Sequence, residues 1–346
     1  MKIHQKYMNR CIELAKNGLG TTYPNPLVGS VIVYDGKIIG EGWHKKAGEA
    51  HAEVNAINSV EDQSLLSKAT IYVSLEPCSH FGKTPPCSDL IIKHKIPNVV
   101  IGTIDPFAKV AGNGIKKLME AGINVTVGIL EDECNELNKR FFTFHQQKRP
   151  YIILKWAESA DGFIAPKTKS EQKPVWITNS YSRQLVHKWR SEEQAILVGT
   201  QTVLDDNPKL DTRDWQGNNP IRVILDRSEK ISDDYQVKDN SVKTIILTEN
   251  RNSENIGLIF FENCNFANSL AHTITTVLYK HEIQSVIIEG GKQTLQTFID
   301  ANLWDEARIF KGNPLFSEGT LSPKLQGNLI HKEMILDDTL LIFKNL

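Results

Sequence analysis

An α/β protein of two domains is what this sequence predicts. Helix-period and strand-period hydrophobic patterns alternate along almost the whole chain, which implies largely parallel sheets covered by helices on both faces. At 346 residues the chain exceeds one typical domain and can bury two cores. The polar stretch Gln146-Gln147-Lys148-Arg149-Pro150 interrupts the alternation, which restarts at Tyr151. Domains over 1–147 and 150–346 are therefore expected.

Taken in order, Tyr7, Met8, Cys11, Ile12, Leu14 and Ala15 form an i, i+3, i+4, i+7 stripe, the mark of an amphipathic helix over 4–17 closed by Asn17-Gly18. Strands over 27–34 and 37–43 flank Asp35-Gly36, and a type I′ hairpin turn needs the positive φ that such a pair tolerates. A helix from about 51, a strand over 69–74, a helix from about 86, a strand over 98–104, a helix over 112–121, a strand over 124–127 and a helix over 131–146 complete the first half. Ligands of such sheets bind beyond the carboxyl ends of the strands. Glu76-Pro77-Cys78 and Asp105-Pro106 stand at two of those ends, so they are expected to share one rim.

The second half continues with a strand over 151–156, a helix over 180–190 and strands over 195–198, 221–225, 244–247 and 286–289. Leu270, Ile274, Val277 and Leu278 stripe a further helix, and 335–342 has the pattern of a closing hairpin. The last of the four strands runs into Gly290-Gly291 and a helix carrying Leu295 and Phe298. Two readings stand for these glycines: a tight structural turn, or a place where a phosphate approaches backbone N–H groups at a helix N-terminus. A G-x-G-x-x-G fingerprint is absent, so a standard Rossmann site is not supported.

Chemistry concentrates between residues 51 and 87, where His51-Ala52-Glu53 is followed by Pro77-Cys78 and, eight residues on, by Cys87. One imidazole and two thiols supply three ligands to a tetrahedral zinc and leave the fourth position for water. Helix positions two apart do not share a face, so His51 and Glu53 reach one site only if a helix begins there, end-on. Zinc lowers the pKa of its bound water to roughly 7, and a separate carboxylate must still move protons. Glu53 can take the water proton and deliver one to a ring nitrogen and a leaving amine, the division of labour in zinc nucleobase deaminases with H-x-E and P-C-x-x-C signatures. Hydrolytic deamination is the expected reaction. The competing readings are a closed structural zinc with His80 as fourth ligand, or no metal. The wide thiol spacing departs from C-x-x-C, and loop 79–86 is expected to bulge between the thiolates and line the substrate pocket.

Charge is balanced at 40 Lys plus Arg against 41 Asp plus Glu, which gives no global attraction for a nucleic-acid backbone and favours a small-molecule substrate. Five cysteines, with Cys11, Cys134 and Cys264 scattered, do not make a disulfide framework. The N-terminus lacks a signal-type apolar core and no run approaches the ~18 apolar residues of a membrane span, so a soluble cytoplasmic protein is expected.

The run from Pro77 through Cys78-Ser79-His80-Phe81-Gly82-Lys83-Thr84-Pro85-Pro86 to Cys87 resembles the bifunctional deaminase-reductase of riboflavin biosynthesis. Support extends along nearly the whole chain, at Pro24-Asn25-Pro26-Leu27-Val28-Gly29, His51-Ala52-Glu53, Val110-Ala111-Gly112, Asp161-Gly162, Trp176-Ile177-Thr178, Val198-Gly199-Thr200, Asp206-Asn207-Pro208 and Glu289-Gly290-Gly291. The resemblance implies a cytidine-deaminase-like three-layer domain followed by a dihydrofolate-reductase-like α/β domain. It also implies two steps on 2,5-diamino-6-ribosylamino-4(3H)-pyrimidinone 5′-phosphate. Zinc-dependent loss of the ring 2-amino group comes first, then NADPH reduction of the ribosyl chain to give 5-amino-6-(5-phospho-ribitylamino)uracil. A homo-oligomer acting on a small molecule is expected.

By the same resemblance His51, Cys78 and Cys87 hold zinc, Glu53 is the proton shuttle, and Asn25, His44, Lys83, Thr84 and Asp105 hold the pyrimidine and its phosphate. In the second domain Lys155, Arg190, Leu210, Arg213 and Glu289 are implied at the substrate. NADPH falls to Glu158, Trp176, Thr202, Asp206 and the run Gly291, Lys292, Gln293, Thr294, Leu295, Gln296 and Thr297. Phe107-Ala108 stands where Asn-Pro is usual, Pro174 where a serine is often found, and Arg227 where serine is common near the cofactor. That arginine either pairs with the NADPH 2′-phosphate or is an exposed hairpin residue. The alternative function is a single-activity deaminase with a non-catalytic C-terminal module.

Overall fold

The computed structural model describes residues 2–79, 85–106, 112–249 and 253–346, and the chain divides into two compact units, Met1–Gln147 and Lys148–Leu346. In the first, α1 (Lys2–Lys16) buries the predicted stripe from Tyr7 to Ala15. β1 (Gly29–Tyr34) and β2 (Lys37–Trp43) pair antiparallel, with Asp35 and Gly36 at φ 48° and 70° in the turn. Then follow α2 (Ala52–Asn58), β3 (Thr70–Leu75), α3 (Cys87–Lys93), β4 (Asn98–Thr103), α4 (Asn113–Glu120), β5 (Asn124–Val127), α5 (Glu131–Leu137) and α6 (Lys139–Gln147).

The sheet order is β2-β1-β3-β4-β5, parallel over the last three strands only. It is mixed where a largely parallel sheet was expected, because a two-residue turn can join β1 only to an antiparallel neighbour. Successive strand residues face opposite layers. Val31 and Val33 pack with α1 and with Cys134 and Leu137 of α5, whereas Ile32 joins Ile71, Val73 and Ile101 under Ala56, Ile57, Ile91 and Leu118. The result is a helix–sheet–helix sandwich of three layers.

Where the sequence predicts one helix over 131–146, the structure has two, parted at Asn138. Asn138 is buried; its side-chain oxygen accepts from the Leu27 N–H at 2.8 Å and its amide donates to the Leu27 carbonyl at 2.9 Å. The same pair explains why the first strand begins at Gly29 and not at 27, since the Leu27 backbone is already committed. Replacing Asn138 by alanine is expected to cost about 2–4 kcal/mol, because two buried backbone groups lose their partner. A lower denaturant midpoint for the full chain at unchanged slope would read that loss.

The second unit comprises β6 (Tyr151–Glu158), β7 (Phe163–Pro166), α7 (Ser180–Glu192), β8 (Ala195–Gly199), α8 (Thr200–Asp206), β9 (Ile221–Leu225), β10 (Thr244–Thr248) and β11 (Ile259–Asn263). After them come α9 (Leu270–Lys280), β12 (Ser285–Gly290), α10 (Lys292–Asp300), β13 (Glu306–Lys311), β14 (Gly319–Leu321), β15 (Asn328–Ile335) and β16 (Asp338–Lys344). Nine strands pair in the order β11-β10-β9-β8-β12-β6-β13-β16-β15, parallel except where β16 meets β13 and β15, and β7 and β14 form a separate ribbon.

Strands β7, β11, β13 and β14 and helix α8 are not read from the sequence. β13 carries Glu306 and Arg308 at buried positions, so no apolar run marks it; the two charges pair at 2.6 Å. β14 is exposed throughout, and α8 buries Val203 alone. The predicted hairpin over 335–342 is the tip of the longer β15–β16 pair. Among the described residues no helix is long and apolar enough to cross a membrane.

Candidate active sites

The first site forms where β3 ends and α2 and α3 begin. His51 is the N-cap of α2, at φ −73° and ψ 166°, and its side chain makes no capping hydrogen bond. Its Nδ1 instead lies 3.3 Å from Cys87 Sγ and 3.7 Å from Cys78 Sγ, and the three ligand atoms are within 4.8 Å of one another. Cys78 follows the end of β3, and Cys87 is the first residue of α3. The Cys87 N–H donates to Cys78 Sγ at 3.3 Å, and a helix N-terminus favours a thiolate there. Cys78 is held well below the usual thiol range, chiefly by the hydrogen bond from the Cys87 thiol and then by His51. A neutral imidazole and two thiolates are the donor set of a tetrahedral zinc, so these residues fit that ion.

Glu53 stands in the first turn of α2 and is buried, as an end-on helix start requires. Burial pushes its carboxyl up to about 7, and the neighbouring Cys78 adds to the rise. A carboxyl poised there can both take and give a proton at neutral pH. His44 is buried beside His51, with ring centroids 5.4 Å apart. Its Nδ1 faces the Ala50 carbonyl at 3.1 Å and so carries the proton, which leaves Nε2 to accept from the Asn25 amide at 3.0 Å. Asp105, also buried, follows β4, and its N–H donates to Glu76 beyond the end of β3 at 3.4 Å. Lys83, Thr84, His80 and most of loop 79–86, like Phe107-Ala108, lie outside the described residues.

The second site is a cavity of about 1500 Å³ beyond the carboxyl ends of β6, β8, β9 and β12. Lys155, Arg190, Leu210, Arg213 and Glu289 line it. So do Trp176, Thr202, Asp206, Arg227 and the segment 291–297 at the start of α10, whose preceding Gly290 is at φ 125°. Glu158 does not line it. That carboxylate is buried and turned to the Trp156 indole at 3.2 Å and the Lys311 ammonium at 2.9 Å. Arg227 reaches the cavity wall, and its side chain is 60 % exposed with its Nε donating to Glu249 at 2.6 Å.

Arg190, from α7, grips Glu289 in a fork with distances of 2.9 and 2.7 Å, and Lys155 Nζ stands 3.6 Å away. Burial pushes the Glu289 carboxyl up, but the Arg190 and Lys155 charges outweigh it and hold the group at about 2. Burial likewise pulls the Lys155 ammonium down. Sequence reasoning missed His187, which lines the same cavity, with Nδ1 2.9 Å from the Asp211 carbonyl and Nε2 3.2 Å from Asp214. Its place three residues before Arg190 on one helix face was the available signal. Arg183, stacked over the Trp176 ring at 4.7 Å, and Lys169, paired with Asp206, were missed as well.

Two family models match the chain: the cytidine and deoxycytidylate deaminase zinc-binding region over residues 1–103 and the RibD C-terminal domain over 150–323. With the geometry they define the class, a bifunctional enzyme with a deaminase half and a reductase half. The RibD proteins of Aquifex aeolicus and Bacillus amyloliquefaciens are 39% and 40% identical, covering 92% and 93% of this chain and 89% and 88% of their own. A Thermotoga maritima diaminohydroxyphosphoribosylaminopyrimidine deaminase/5-amino-6-(5-phosphoribosylamino)uracil reductase superposes with a TM-score of 0.90 at 37% identity, over 100% of this chain and 99% of that one. Acinetobacter baumannii RibD gives 0.88 at 32% identity with the same coverage. The chain belongs to the RibD family of bifunctional deaminase/reductases of riboflavin biosynthesis.

Proposed function

We propose that the first unit removes the ring 2-amino group of 2,5-diamino-6-ribosylamino-4(3H)-pyrimidinone 5′-phosphate with zinc, and that the second reduces the ribosyl chain of the product with NADPH. The observation that carries this reading is the buried Glu53 carboxyl beside the His51, Cys78 and Cys87 cluster. Zinc held there makes hydroxide available at neutral pH by lowering the pKa of bound water to roughly 7. Glu53 takes the first proton from the water and gives it to the ring nitrogen. It then takes the proton of the hydroxyl added to the ring carbon and gives it to the amine, which leaves as ammonia while the carbonyl forms. Asn25 and Asp105 orient the pyrimidine, and His44, fixed as one tautomer, packs against the His51 ring.

In the second unit NADPH supplies the hydride, so the fold has to position and neutralise more than to supply acid or base. Lys155, Arg190 and Arg213 bring positive charge to a phosphorylated substrate, and Arg guanidinium groups suit phosphate through forked hydrogen bonds. Residues at the start of α10 line the same space, and the free N–H groups of a helix N-terminus suit the cofactor phosphates. The balanced global charge fits a small anionic substrate held by local cations.

The test is incubation of the zinc-loaded protein with this pyrimidine, with and without NADPH, following product mass and nicotinamide absorbance together. The expected result is amine-to-carbonyl exchange without NADPH and a further gain of two hydrogens with it. Deamination without any NADPH-dependent step would remove the second half of the reading.

A further inference from the structure

One buried side chain next to the metal ligands is unused by this chemistry. Glu76 lies between the end of β3 and Cys78, and the residue is only 4 % exposed. Its Oε2 accepts from the Asp105 N–H at 3.4 Å and from the Gly112 N–H at 2.9 Å, while Oε1 accepts from Gly114 at 2.8 Å and Ile115 at 3.3 Å. A single carboxylate thus ties Asp105, two residues past β4, to the start of α4. The helix start is also pressed onto the metal-bearing strand end, because a Cβ on Gly114 would come within 2.1 Å of the Pro77 carbonyl oxygen.

A carboxylate suits this task where neutral side chains do not. It presents only acceptors, so it can satisfy four backbone donors, whereas a glutamine turns one end into a donor facing other donors. Buried N–H groups left facing a donor cost more than the hydrogen bonds alone. Charge-assisted bonds from an α4 N-terminus add to the hold.

We infer that Glu76 is a positioning residue for deamination: by clamping Asp105 and the start of α4 to the strand that delivers Cys78, it sets the distance between the pyrimidine contact and the metal ligands. The inference rests on the proposed role of Asp105 at the pyrimidine. Glu76 itself touches neither metal nor proton shuttle, so its loss should appear in substrate binding and leave the zinc content alone.

The experiment is a cycle of Glu76→Gln, Asp105→Ala and the double variant in the full zinc-loaded chain, with NADPH-dependent reduction as the folding control. The expected result for Glu76→Gln is a deaminase KM raised roughly tenfold or more, with kcat falling much less, stoichiometric zinc and normal reduction. In the Asp105→Ala background the same change should add little. An unchanged KM, loss of zinc, or full additivity with Asp105→Ala would each overturn the inference. A silent Asp105→Ala would overturn the pyrimidine contact itself and the clamp with it. For a Glu76→Gln chain that fails to fold, Gly114→Ala perturbs the same junction from the helix side and is expected to give the same rise in KM with zinc retained; an unaltered KM there would also overturn the inference.

Discussion

Glu53→Gln is expected to lower deamination by about 10²- to 10⁴-fold while the protein keeps its zinc and its NADPH-dependent activity. The variant changes the buried carboxyl and leaves the imidazole and both thiols untouched. An amide of the same size cannot take a proton from water or return one to the leaving amine, so the loss should fall on kcat. The zinc content, measured by elemental analysis, separates this outcome from damage to the cluster. Because the reductase resides in the other unit, its rate on the deaminated substrate reports the integrity of the chain. Near-normal turnover would show that the proton moves through another group.

The second large effect is expected at Glu289→Gln. Arg190 and Lys155 are both mostly buried, and without the carboxylate they would face each other uncompensated. Removing one partner of a buried ion pair costs about 3–5 kcal/mol, so the second unit should unfold at a clearly lower denaturant concentration at pH 7. The pH dependence follows from the depressed carboxyl. Held at about 2 in the folded chain against an ordinary 4.5, Glu289 contributes stability that is present above 4.5 and lost as the pH falls toward 2. The gap between wild type and variant should therefore narrow on acidification through that window. A gap of constant size from pH 7 to pH 3 would show that the carboxylate is not the charge that matters. Reduction should fail in the variant while deamination continues, since the fork also holds Arg190 at the cavity wall.

Much of the first site could be read from residue types. His51, Glu53, Cys78 and Cys87 carry their chemistry in their identity, and the end-on start of α2 follows from the two-residue spacing. The second site was legible mainly through resemblance to its family. Its glycines, arginines and acidic residues are common surface types, and one of the acids, Glu158, turns to Trp156 and Lys311 and not to the cavity wall.

Local periodicity and turn chemistry, both properties of neighbouring residues, were enough by themselves to determine the α/β class, the amphipathic first helix, the Asp35-Gly36 hairpin and the break near residue 148. Only the tertiary structure decided what depends on partners distant in sequence. Asn138 divides a helix because Leu27, 111 residues away, offers it two backbone groups. β13 is a strand despite buried charges because Glu306 and Arg308 neutralise each other between β6 and β16. Glu76 looks like an ordinary strand-end acid until four N–H groups from after β4 and from the start of α4 converge on it. In each case a buried polar group is stable only with its partner, and the chain names that partner only once it is folded.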